Sequence, residues 1–382
     1  MDYFLTEEQQ ELKKLVRRFA EERVRPRWKE LDEAHEFPRD LIEEMARMDL
    51  FRIFVPEEYD GFGSSVMNIV VVVEELARVE PGLAVSFAAV GLGTIPIVLY
   101  GSEELKQRYL PRIANGELIA AFALTEPNAG SDAGNVQTKA IRDGDHYVLN
   151  GTKIFITNGG EADIYTVIAS TRPDRGMRGL SAIVVEKGTP GFKFGKKEDT
   201  MGIRASVQRE LIFEDARVPV ENLIGKEGLG FKIAMDTLDH SRPGVAAQAV
   251  GIAQGAMEEA VKYAHQRVQF GEPIINFQAI QMMVADMATQ IEAARSLVYS
   301  VARYIDSGAK RYSEYSAMAK LFASDVAMKA TTDAVQVMGG YGYMKEYPVE
   351  KFMRDAKITQ IYEGTNQIQR LVIAREIAKK YR

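Results

Sequence analysis

Apolar residues recur at helical intervals early in the chain, alternate in short runs through its middle, and return to helical intervals at the end. Over residues 1–121, Leu12, Leu15, Val16 and Phe19 form one stripe, preceded by Thr6 and Gln9 at capping-box spacing. Phe37-Pro38 sets a proline where a second helix would begin, and Leu41, Ile42, Met45 and Met48 continue it. A third helix is read over Val66 to Ala77, stopping near Pro81. Ser102 caps another, with Glu103 and Glu104 where the helix dipole favours acids.

Residues 122–226 read differently. Asp143-Gly144 and Asn150-Gly151 are hairpin turn pairs. Around them lie Tyr147-Val148-Leu149, Ile154-Phe155-Ile156, Tyr165-Thr166-Val167-Ile168, Ala182-Ile183-Val184-Val185 and Leu211-Ile212-Phe213. Such runs predict a small barrel or sandwich, and no helical stripe separates them as a parallel βαβ sheet would require. Over residues 227–382, long stripes run Pro243–Arg267, Phe277–Asp306 and Ser313–Met338, with a last one after Gly364-Thr365. Four such stripes predict a helical bundle. The expected fold is mainly α, with a central β domain between an N-terminal helical domain and a C-terminal four-helix bundle.

Composition narrows the chemistry. The 382 residues contain no cysteine, which removes disulfides, thiol nucleophiles and thiolate metal sites. The formal net charge of -6 argues against nucleic acid as a partner. The four histidines are scattered, none three residues after a glutamate, so each is read as a surface or capping residue and no metal is expected. Met1-Asp2-Tyr3 opens without a basic start or apolar core, and the run Ile69–Val73 is far too short to span a bilayer. A cytoplasmic protein is expected, or a mature organellar matrix protein.

No Rossmann fingerprint and no P-loop is present, so a nucleotide cofactor would need another cradle. Three stretches carry candidate chemistry. Leu124-Thr125-Glu126-Pro127-Asn128-Ala129-Gly130-Ser131-Asp132 is either a connector or a loop wrapping a phosphate or ring edge. Ile154-Phe155-Ile156-Thr157-Asn158-Gly159-Gly160 ends a strand with an aromatic and a hydroxyl. Ile361-Tyr362-Glu363-Gly364-Thr365 follows Gly339-Gly340-Tyr341-Gly342, Tyr347-Pro348 and Arg354-Asp355. Glu363 is either an acid stabilised by a helix dipole or a desolvated carboxylate suited to general-base work.

Together with Gln266-Arg267, Phe270-Gly271 and Gln336, these stretches resemble the acyl-CoA dehydrogenase family, short- and medium-chain members above all. The resemblance covers nearly the whole chain and agrees with that family's helix–strand–bundle order. It implies a flavoprotein oxidising an acyl-CoA thioester to the 2,3-enoyl-CoA, with FAD as cofactor, an electron-transfer flavoprotein as acceptor and a homotetrameric assembly. It makes Glu363 the base that removes the α-proton, while a β-hydride passes to the flavin. Some relatives carry the base on the first bundle helix; Ser241 occupies that place here and cannot serve.

By matching positions, the resemblance sets Phe122, Leu124 and Thr125 at the flavin ring, with Phe155 and Thr157 on its other side. It sets Ser131 where FAD phosphate and CoA come close. Arg267, Gln269, Phe270, Gln336 and Gly340 would reach the FAD of a neighbouring subunit. Thr365 and Gln367 would hold the adenine end. Leu238, Asp239 and Arg242 would face the CoA arm, and Tyr362 and Gly364 would flank the substrate. Ala88 and Gly91 would leave room for the acyl chain. Phe155 stands where many members have tryptophan, and Asn135 where smaller residues are common. An enoyl-CoA reductase, a dehydrogenase for cyclic or aromatic acyl-CoA, an acyl-CoA oxidase and a scaffold without cofactor are the competing readings.

Overall fold

The computed structural model describes residues 3–381. Six α-helices come first: α1 (Glu7–Phe19), α2 (Trp28–Ala34), α3 (Arg39–Arg47), α4 (Val66–Ala77), α5 (Pro81–Tyr100) and α6 (Glu103–Ala114). The capping box forms at α1: Thr6 Oγ1 accepts from Gln9 N, and the Gln9 side chain accepts from Thr6 N. Ser65 and Ser102 cap α4 and α6 by accepting from Asn68 N and Leu105 N, without the reciprocal bond. Pro81, read as a stop, is instead the first residue of α5, where its missing N–H costs nothing. Glu80 supplies the cap by accepting from Gly82 N at 3.1 Å.

Helix α5 carries no polar stripe, so periodicity alone does not reveal it. It is 20 residues long and apolar enough to cross a membrane by length and composition, yet 78% of that stretch is buried inside the molecule. A helix apolar all round is a core helix when the fold covers it. It lies between the first bundle helix and the edge of the sheet. A Cβ added at Gly93 would sit 2.6 Å from Ala121 N. Gly93→Ala is therefore expected to cost about 1–3 kcal/mol, read as a lower midpoint in chemical unfolding.

Eight strands follow: β1 (Ala120–Ala123), β2 (Lys139–Asp143), β3 (His146–Thr157), β4 (Ile164–Ser170), β5 (Leu180–Glu186), β6 (Phe192–Lys197), β7 (Gln208–Pro219) and β8 (Leu223–Ile224). They form one hydrogen-bonded sheet in the order β6-β7-β3-β2-β4-β5-β8, with β1 added against β4. Most pairings are antiparallel, but β1 and β2 both run parallel to β4. The β3–β7 register shifts between Lys153 and Ile156, and Phe155 lies in that bulge with φ +57°.

The C-terminal helices are α7 (Gly230–Gln266), α8 (Gln278–Asp306), α9 (Ser313–Met338), α10 (Val349–Thr359) and α11 (Asn366–Lys380). Between α7 and α8 sits a hairpin of β9 (Val268–Gln269) and β10 (Glu272–Pro273). Helix α7 begins at Gly230 and runs through Pro243, where the sequence pattern places its start. The proline removes one internal hydrogen bond, and packing on α4, α8 and α9 holds the helix across the gap. Helix α10 has no counterpart among the expected stripes.

A buried charge cluster ties the three segments together. Lys351 Nζ on α10 donates to Glu80 at 2.9 Å and to Asp355 at 2.6 Å. Asp355 also accepts from Ile203 N, before β7. Burial pushes Glu80 up to about 7, and the Lys351 ammonium opposes that rise.

Candidate active site

The chain from Gln360 to Thr365 turns sharply between α10 and α11. Glu363 and Gly364 both adopt left-handed backbone, with φ +51° and +93°. For a glutamate this costs on the order of 1–3 kcal/mol, so the surroundings must hold it. Gln369 Nε2 donates to the carbonyls of Glu363 at 3.1 Å and Gly364 at 2.9 Å. Arg242 Nε donates to the Glu363 carbonyl at 3.3 Å, and Lys320 Nζ to that of Gly364 at 2.9 Å. Asn366 is locked by Ser324 and Asp325, each at 2.8 Å.

The Glu363 carboxylate does not cap α11. Thr365 does that, accepting from Ile368 N at 3.3 Å. Instead, Ser241 Oγ on α7 donates to Glu363 Oε2 at 2.6 Å. Of the two sequence readings of Glu363, the dipole-stabilised acid loses its basis. Burial pushes the carboxyl above its ordinary value, while the Ser241 hydrogen bond, Arg242 and Lys320 pull it down without cancelling the rise. Ser241→Ala removes one of the groups that favour the ionised form. The acid limb of the pH–rate profile should then move to higher pH, measured as kcat/KM against pH; an unmoved limb would show that Ser241 does not tune this carboxyl.

Neighbouring residues are tightly bonded to one another. Arg242, almost wholly buried, pairs with Asp239, which also accepts from Ser313 Oγ. Burial pushes Asp239 up. The Tyr362 hydroxyl donates to Gln248 Oε1, and Gln248 Nε2 donates to the Pro81 carbonyl at 3.3 Å. Tyr362 is thus chained to the start of α5. Leu238 packs partly buried on the same face of α7. His240, read as a surface or capping residue, is enclosed beside the Tyr312 ring, and burial pushes its pKa down.

In the first half of α5 and just beyond, Ala88 and Leu92 are part-open, one turn apart; the remaining open positions, Val98 to Tyr100, lie at its C-terminal end. Gly91 faces elsewhere: a Cβ there would lie 2.7 Å from the Phe54 ring. Its small size accommodates Phe54 rather than opening space beside Ala88.

The sheet edge brings a second group together. Ile154 N donates to the Thr125 carbonyl at 2.9 Å. Buried Lys153 donates to the Leu124 carbonyl at 2.9 Å and to Glu126 at 2.8 Å, so the end of β1 is bound to β3. Phe122 and Thr125 stay part-open there, and Thr157 Oγ1 donates to Gln208 at 2.7 Å. Phe155 exposes 58% of its surface. Ser131 is exposed on the loop that follows.

A third group stands at the surface. Gln269 and Phe270 cap the β9–β10 hairpin, and Phe270 is 96% exposed. The Arg267 guanidinium lies 5.4 Å from the Tyr341 ring centroid. Gln336, Gly340 and Gln367 are also exposed.

Sequence reasoning missed Lys320, Gln248 and Gln369. A signal existed for the first: Ser316, Lys320 and Ser324 recur every four residues on a fully buried face of α9. A polar stripe inside a core marks a site.

Family models of the acyl-CoA dehydrogenase N-terminal, middle and C-terminal domains match residues 6–117, 121–216 and 228–378. The chain belongs to the acyl-CoA dehydrogenase family. Among acyl-CoA dehydrogenase relatives, butyryl-CoA dehydrogenase from Megasphaera elsdenii superposes with a TM-score of 0.96 at 48% identity, covering 99% of this chain and 100% of that one. A structure described as an electron transferring flavoprotein of Acidaminococcus fermentans, towards a mechanism of flavin-based electron bifurcation, contains a chain that is 55% identical. Its TM-score is 0.96, and 99% of each chain is covered. An acryloyl-CoA reductase (NADH) from Anaerotignum propionicum is 51% identical over 100% of this chain and 97% of its own length.

As an acyl-CoA dehydrogenase, the protein is an FAD-dependent oxidoreductase acting on acyl-CoA thioesters. Its residues fit that cofactor. Phe155 offers an exposed ring beside the part-open Thr125 and Thr157. At Gly130 and Gly340 an added Cβ would meet no atom within 4 Å, so the backbone at both is open to an approaching group.

Proposed function

We propose that Glu363 is the base that removes the α-proton of a short acyl-CoA. The observation that carries this reading is its half-buried carboxylate, held by Ser241 at 2.6 Å and raised by desolvation. A proton α to a thioester is weakly acidic, so a base needs a raised pKa and a fixed position. Bound FAD supplies the acceptor for the β-hydride. Phe122, Leu124, Thr125, Phe155 and Thr157 would hold its ring. Thr365 and Gln367 would hold the adenine end, and Ser131 would lie near the FAD phosphates and CoA. Leu238, Asp239 and Arg242 line the CoA arm, with Tyr362 and Gly364 beside the thioester. Ala88 on the apolar α5 borders the acyl chain.

Arg267, Gln269, Phe270, Gln336 and Gly340 reach a neighbouring subunit's cofactor in a homotetramer. The exposure of Gln269, Phe270, Gln336 and Gly340 in the single chain supports this, since a ring as open as Phe270 gains by being covered. The enzyme works in the cytoplasm and hands its electrons to an electron-transfer flavoprotein. The acryloyl-CoA reductase relative favours one second reading, the same half-reaction run towards the saturated acyl-CoA. Anaerobic addition of a panel of acyl-CoAs tests the first reading, and reoxidation of the reduced flavin by enoyl-CoAs with little reduction by the saturated thioesters would favour the second. The dehydrogenase reading expects saturated short acyl-CoAs to bleach the flavin and the flavoprotein acceptor to restore it. Fast peroxide formation on exposure to air would contradict it.

A further inference from the structure

Lys320 is a buried cation that no step above uses. It lies on α9 with no exposed surface, and its Nζ donates at 2.9 Å to the Gly364 carbonyl and at 2.9 Å to Asn366 Oδ1. Neither acceptor is charged. The other fully buried lysines, Lys153 and Lys351, each touch a carboxylate at 2.8 Å and 2.6 Å. Among the described residues, Lys320 has no carboxylate at ion-pair distance. The charges facing it are Glu363 on the junction, Arg242 on α7 and Asp325 on its own helix. Asp325 is occupied by Gln360, Asn366 and Arg370. Glu363 is left as the carboxylate that its charge most directly serves.

We propose that Lys320 is a positioning residue for Glu363, its ammonium clamping the left-handed Glu363–Gly364 junction through the Gly364 carbonyl and supplying the positive potential that keeps the neighbouring carboxylate ionised before it takes the α-proton. The proposal rests on Glu363 as the base. Its geometry explains why a lysine is kept in so dry a place. An apolar residue would leave the Gly364 carbonyl with one donor fewer and Asn366 Oδ1 without its cation. Burial pushes Lys320 down to about 7, and Glu363 opposes that fall. Below that pH Lys320 is charged and holds Glu363 down. Removing the charge lets Glu363 rise, so the ionised share shrinks on the acid side and little changes in alkali.

Lys320→Gln keeps a hydrogen-bond donor and loses the charge; Lys320→Met loses both. Both are compared as FAD-loaded holoenzymes, with circular dichroism and flavin absorbance reporting that they fold. The readout is the infrared band of the protonated carboxyl, assigned as the band that Glu363→Gln abolishes, titrated against pH. Both variants should move its midpoint to higher pH. Flavin bleaching by butyryl-CoA should fall about tenfold near pH 6 and recover in alkali for Lys320→Gln. An unmoved midpoint in folded Lys320→Gln overturns the proposal, because a merely structural role would leave the titration where it is. Failure of the base reading looks different: Glu363→Gln would bleach at the wild-type rate, whatever the midpoint does.

Discussion

Glu363→Gln should retain its flavin and bind acyl-CoA normally while losing about 10²–10⁴-fold in turnover, the range a positioned general base contributes. Glutamine fills the same space, and its amide can still accept the Ser241 hydrogen bond seen at 2.6 Å. The junction is held through the backbone carbonyls of Glu363 and Gly364, which the substitution leaves in place. KM should therefore move little and kcat should fall, the split expected when an interaction made during reaction is removed. A fall in flavin content of the same size would show instead that the side chain holds the site together.

Lys351→Met has the largest expected effect on stability, a loss of about 3–5 kcal/mol, because it strands buried carboxylates without their cation. Glu80 and Asp355 are both fully buried, and Lys351 is their shared partner. Chemical unfolding at fixed protein concentration measures this. The pH dependence carries a sign. Glu80 already lies at about 7 against an ordinary 4.5, and without Lys351 it rises further. A carboxyl raised in the folded state favours folding below its ordinary value and stops doing so as pH climbs through its folded value. The deficit of Lys351→Met should thus be smallest in mild acid and grow towards neutral pH. A pH-independent deficit would point to lost packing instead.

Much of this was legible in the chain. The stripes for α4, α8 and α9 match the observed helices closely, and Ser102 marks the start of α6. Periodicity failed where burial is complete. Helix α5 has no polar face to contrast with its apolar one, and Pro81 reads as a stop when it is a start. Pro243 misled in the opposite sense, since tertiary packing carries α7 across it. At the site, Glu363 was visible as a residue but its chemistry was not. Its partners Ser241, Lys320 and Gln369 come from α7, α9 and α11, and only the fold brings them within reach. Gly91 shows the same limit, since its small size serves Phe54 rather than an acyl chain.

If Glu363 takes the α-proton, flavin reduction must depend on its carboxylate. Rapid anaerobic mixing of wild type and Glu363→Gln with butyryl-CoA, ordinary or deuterated at the α-carbon, tests it most directly. Wild type should bleach quickly, and more slowly with the deuterated thioester, while Glu363→Gln holds its oxidised flavin spectrum over the same interval. Bleaching of Glu363→Gln at the wild-type rate would contradict it.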